Sequence, residues 1–180
     1  MFRTILTYGT IAGLIVGIPN IVLMLASGDG QQLHSVTLGY LIMLVALSAV
    51  FVAVKRRRDG ALGGAIGFWP ALGLGLAISL IATLFYIAAW ELVFAIKGTA
   101  FLQSYTDAMV AEAAAKGASA AEQARIRMHW NGFWAEYRNP LVRIPYTVSE
   151  ILPVGLLVSL VSAGLLRNPR FLPARGADRS

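Results

Sequence analysis

Four long apolar runs divide the chain. Thr4 to Ala26 carries no charged residue over 23 positions, and Val36 to Val54 carries none over 19. Ala71 to Ile96 is interrupted only by Glu91, and Tyr146 to Leu166 only by Glu150. A helix needs about 20 mostly apolar residues to cross a hydrocarbon layer of about 30 Å. All four runs meet that length, and a chain of 180 residues cannot hide four such helices in a soluble core.

Between the third and fourth runs the period changes. Residues 97–140 alternate apolar and polar positions at helical spacing, with Phe101, Leu102, Tyr105, Met109 and Val110 on one face. Lys116-Gly117 closes that helix, and Ser119 with Glu122 forms a capping box opening another. The second helix gathers Ile126, Trp130, Phe133, Trp134 and Tyr137 on one stripe and leaves Arg125, Arg127, Glu136 and Arg138 off it. It is predicted to end before Asn139-Pro140, because proline disfavours a helical predecessor. The stripe is expected to bury either in the headgroup region or against the ends of the membrane helices. The expected fold is an all-α membrane protein: four transmembrane helices, with an extracytoplasmic amphipathic helical hairpin between the third and fourth. Residues 1–170 are read as one membrane domain and 171–180 as a disordered cytoplasmic tail.

Composition sharpens this picture. Hydrophobic residues make up 57% and charged residues 13%, against about 25% charged in a soluble domain. Run one has a basic start at Arg3, but its apolar part exceeds the usual length of about 7–15 residues for a signal peptide. It is read as a retained helix. Nine of the 15 basic residues fall on one side of the expected membrane: Arg3, Lys55, Arg56, Arg57, Arg58, Arg167, Arg170, Arg175 and Arg179. The loop after run one has none. By the bias of lysine and arginine towards the cytoplasm, both termini are expected there, in a multi-pass protein of the cytoplasmic membrane. Lys55 to Arg58 are read as the topology anchor, with attraction to anionic headgroups as the other reading.

Gly9, Gly13 and Gly17 recur at spacing four in run one, where small residues let helices approach closely. That face either packs within the fold or joins two copies. Pro19 and Pro153 are expected to bend their helices, and Pro140 and Pro145 to make the start of the fourth run irregular. Trp69 and Trp90 lie 21 residues apart, about 31 Å along a helix, so Glu91 belongs near the membrane boundary. Glu150, Asn20, His34 and Arg143 count to a similar level. Asn20, Glu91, Arg143 and Glu150 are therefore the candidate polar cluster, either a lock between hairpin and bundle or a proton- or ligand-binding site.

Catalytic chemistry has little to stand on. The chain has no cysteine, its two histidines are His34 and His129, and no phosphate loop, serine elbow or dinucleotide fingerprint is present. No enzyme activity, cofactor, metal or nucleic-acid partner is expected. The expected partners are membrane lipid and a second copy or another membrane protein. The alternative is a small proton-coupled transporter or channel using Glu91 and Glu150.

Two segments carry a family resemblance: Tyr137-Arg138-Asn139-Pro140-Leu141 and Glu150-Ile151-Leu152-Pro153-Val154-Gly155. With residues 39–60 and 77–91 they resemble the bacterial membrane family of domain of unknown function 4199, up to about residue 170. The chain departs from the pattern at residues 67–75, "GFWPALGLG". The resemblance implies four membrane helices and assigns no activity, substrate or site residue.

Overall fold

The computed structural model describes residues 1–26 and 36–173. Among the described residues there are five helices: α1 Phe2–Ala26, α2 Val36–Ala61, α3 Phe68–Ala115, α4 Ala120–Tyr137 and α5 Pro140–Leu166. Four of them, all but α4, are long and apolar enough to cross a membrane. His34, Arg175 and Arg179 lie outside the described residues.

The helices run further than the apolar runs predict. α2 continues through Lys55–Arg58 to Ala61, because a helix end needs no apolar residue once it leaves the bilayer. α5 begins at Pro140, not Tyr146. Proline at the first helical position lacks a donor that would have no partner there anyway, and the Asn139 side chain accepts from the Leu141 amide at 3.0 Å. Pro145 sits inside this helix, so the irregular start expected there is absent. α3 runs from Phe68 through the expected boundary at Ile96, interrupted only at Gly98, whose φ of 51° and ψ of −133° are non-helical. Such a conformation is accessible to glycine and strained for residues with a Cβ. Gly98 thus separates the membrane-length part of α3 from a second arm.

That arm ends where Gly117 adopts φ 88°. The Gly117 amide donates to Ala114 and the Ala118 amide to Ala113, the paired bonds of a glycine-closed helix end. Ser119 and Glu122 then exchange hydrogen bonds and start α4. The arm and α4 form a helical hairpin beyond one end of the bundle.

Helix α3 is central and packs on α1, α2, α4 and α5, while α1 and α5 do not meet among the described residues. The glycine face of α1 is turned to α3. A Cβ on Gly9 would sit 2.5 Å from Ile81, and one on Gly13 2.5 Å from Phe85. Gly17 faces Ala89 in the same register. This face is used within the fold.

The α3–α5 seam is built the same way, in antiparallel register. Gly75 faces Ser159 and Gly155 faces Ser79. Steps of four reach Thr83 and Ile87 on α3, and Ile151 and Thr147 on α5, then arrive at Glu91 and Arg143. Buried hydroxyls of Ser79, Thr83, Thr147 and Ser159 mark this line. Thr83 and Thr147 return their hydrogen bonds to the carbonyls of Ser79 and Arg143, four residues back. The hydroxyls therefore sit without cost in a close-packed apolar seam.

Candidate functional site

The seam ends in an ion pair. Arg143 Nε donates to Glu91 Oε1 at 2.7 Å and Nη2 to Oε2 at 2.5 Å, so both carboxylate oxygens are held. The Arg143 Nη1 donates to the carbonyls of Tyr137 and Arg138 at 3.2 and 3.1 Å. The guanidinium carbon lies 3.9 Å from the Phe94 ring centroid. The Arg143 side chain is 5% exposed and that of Glu91 32%. Bidentate charge-assisted pairing and a ring face suit a planar guanidinium and would not suit lysine. One side chain on α5 thereby grips α3 through charge and the closing turn of α4 through its carbonyls.

Aromatic side chains surround this grip. Trp90 Nε1 donates to the Tyr137 hydroxyl at 2.9 Å, and Trp134 Nε1 donates to Thr106 Oγ1 at 2.9 Å. Tyr105 of the arm meets Trp130 and Trp134 edge-on, while those two indoles stack at 5.3 Å. Phe133 meets Tyr146 and Tyr137 meets Phe94. The stripe of Trp130, Phe133, Trp134 and Tyr137 is thus laid against protein: the arm and the ends of α3 and α5. Tyr137 is buried, and burial pushes its hydroxyl pKa above the usual value.

The four residues of the candidate polar cluster do not form one constellation. Glu91 and Arg143 pair with each other. Glu150 turns aside: Tyr86 donates to its Oε2 at 3.0 Å, and among the described residues no cation pairs with it. Asn20 is on α1, away from α5, and its Nδ2 is buried with no hydrogen-bond partner in the described structure. Shared depth along separate helices was the reason to group them. Depth says nothing about which way each side chain turns around its helix.

Of the four basic residues after run two, Lys55 pairs with Asp59, Arg56 is exposed and Arg57 half-buried. Arg58 is 0% exposed. It donates to Asp59 at 2.6 Å and to the carbonyls of Phe171 and Leu172 at 2.9 and 2.5 Å, with Leu166 at 3.5 Å. Phe171 meets Phe51 edge-on. The segment expected to be disordered from 171 is therefore fastened at its first two residues, and Arg58 is a staple as much as an anchor. Sequence reading named Arg58 only as an anchor and missed Tyr86 and Phe94. The spacing of four that links 75, 79, 83, 87 and 91 to 159, 155, 151, 147 and 143 was the available signal for the seam.

Among the described residues, no three histidine, aspartate or glutamate side chains gather where they could hold a metal ion. The architecture defines the class: a multi-pass α-helical membrane protein with a helical hairpin fixed to one end of its bundle. Within that class, the chain belongs to the family described as protein of unknown function DUF4199, which matches residues 7–168. No curated protein and no solved structure matches it.

Proposed function

We propose that this is a non-enzymatic protein of the bacterial inner membrane that acts through protein or lipid contacts, with both termini cytoplasmic and the hairpin on the far side. The Arg143–Glu91 pair carries this reading. Both oxygens of Glu91 are held by Arg143, whose Nη1 donates to the two carbonyls that close α4, so this ion pair holds the hairpin rigidly on the bundle. Rigid presentation suits a surface that other molecules read. Beside the aromatic stripe α4 is open: Arg125, Met128, His129, Gly132 and Glu136, with Phe133 of the stripe at the border, line a shallow groove, and Met128 is 70% exposed. The tight Gly75–Ser159 and Gly155–Ser79 contacts weigh against a water path along the central seam.

Two measurements test the proposal. A phosphatase inserted after Gly117 is expected to be active and a fluorescent protein at the C-terminus bright. A photo-crosslinking residue at Met128 is expected to trap a specific membrane protein, a second copy or a lipid in intact cells. Absence of any adduct, together with pH-dependent solute flux in proteoliposomes that Glu91→Gln abolishes, would replace this reading with the transporter one.

A further inference from the structure

Glu150 stands apart from the other carboxylates of the membrane helices. Asp59 is held by Lys55 and Arg58, and Glu91 by Arg143. Glu150 has only the Tyr86 hydroxyl, on Oε2, and no donor reaches Oε1 among the described residues. It is also exposed, on a lateral face of α5 that continues through Pro153 and Leu157. A carboxylate near the edge of a hydrocarbon layer is costly unless a proton, a cation, water or hydrogen-bond donors offset its charge.

Depth and surroundings narrow the choice. Glu150 lies 17 residues before Arg167, about 25 Å along the helix. That is roughly 5 Å inside the far edge of a hydrocarbon layer about 30 Å thick, within reach of lipid headgroups. Tyr146, 48% exposed, stands one turn nearer that edge on the same face. An offset of 108 residues relates Arg58 to Leu166 and also Leu47 to Gly155, and it sets Tyr40 level with Val148. Tyr40 is 47% exposed. A carboxylate with one free acceptor, open to the bilayer and near the level of Tyr146 and Tyr40, can accept from the N–H of a primary ammonium group. Exposed Leu157 and Leu160 below it offer an acyl chain an apolar track.

We propose that Glu150, with Tyr86 orienting its carboxylate, binds the primary ammonium headgroup of an ethanolamine phospholipid in the hairpin-side leaflet. Tyr86 holds Oε2, and the lipid ammonium donates to Oε1. A quaternary choline headgroup has no N–H to donate, and glycerol headgroups carry no cation, so both are disfavoured. The site deepens the contact-based reading above by naming one lipid class and rests on it for physiological meaning.

The full-length protein is reconstituted in nanodiscs with equal parts of phosphatidylethanolamine, phosphatidylcholine and phosphatidylglycerol of matched chains. Lipids retained after release are counted by native mass spectrometry. The wild type is expected to retain the ethanolamine lipid roughly tenfold over the other two, the factor one charge-assisted hydrogen bond supplies. Glu150→Gln is expected to equalise the three, and Tyr86→Phe to reduce the preference partway. Because Tyr86→Phe keeps the ring, it reads out the site even where Glu150→Gln fails to fold. Equal retention of ethanolamine and choline lipids by the wild type overturns the proposal, as does a preference untouched by both variants. A lipid-free dimer broken by Glu150→Gln also overturns it, in favour of a second copy. Nanodiscs are symmetric, so a reversed topology result would defeat the cellular orientation without altering this readout.

Discussion

The two ends of the bundle are each closed by a buried arginine, and the two are wired differently. Arg143 is 4% exposed and Arg58 0%. Each pairs with a carboxylate and donates to a carbonyl at a helix end, where the backbone carries partial negative charge, and Arg58 reaches two more beyond α5. Arg143 takes its carboxylate from another helix, 52 residues away, and is the only cation on Glu91 among the described residues. Arg58 pairs with its chain neighbour Asp59, which also has Lys55. Removing Arg143 therefore orphans a half-buried charge, whereas removing Arg58 leaves its carboxylate compensated. Similar burial hides a difference in what depends on each side chain.

The largest expected effect follows from the orphaned charge. Arg143→Ala should lower stability by about 3–5 kcal/mol, the range for breaking a buried pair from one side. Thermal unfolding in a mild detergent measures it, and the double variant Glu91→Gln/Arg143→Met should recover most of the loss. If the double variant is no better than the single one, charge is not what separates the two ends.

Arg58→Ala should cost less, about 1.5–3 kcal/mol for hydrogen bonds made by a charged donor. It should also release Phe171 and Leu172, so trypsin cleaves faster at Arg170 while the hairpin stays protected. A loss matching that of Arg143→Ala would erase the contrast.

Trp90→Phe keeps a ring beside Phe101 but removes the donor to Tyr137. A loss of about 1 kcal/mol is expected, with slightly faster amide exchange in α4. No change would mean that Arg143 alone holds the hairpin.

The smallest effect concerns the start of α4. The Ser119 backbone amide, then its hydroxyl, holds the Glu122 carboxyl below its ordinary value of 4.5. A carboxyl lowered on folding stabilises above its unfolded pKa, and that contribution disappears as pH falls from 4.5 through the lower folded value. Amides of residues 120–123 should lose exchange protection over that interval while the bundle does not. Glu122→Gln should remove the step, Ser119→Ala should only shrink it because alanine keeps the backbone amide, and a step that persists in Glu122→Gln would assign it to another group.

Much of the architecture was readable along the chain. The four apolar runs, the glycine spacing of α1, the Gly117 stop and the Ser119–Glu122 box are local patterns, and each appears in the folded chain. Helix ends were less legible: α2 extends through Arg58, α5 begins at Pro140, and Gly98 hides a break inside an otherwise continuous α3. The candidate polar cluster was legible only as a set of similar depths. Glu91 and Arg143 meet, Glu150 turns to Tyr86, and Asn20 stays on the far helix.

The sequence by itself determined that this chain belongs in a bilayer and how its backbone is segmented, because hydropathy, capping and glycine stops act within a few residues. Only the tertiary structure decided which polar groups neutralise one another. Each residue turns a helix by about 100°, so a partner's identity depends on rotation and register between helices far apart in the chain. A one-residue difference in that register would have separated Arg143 from Glu91 and left both charges stranded.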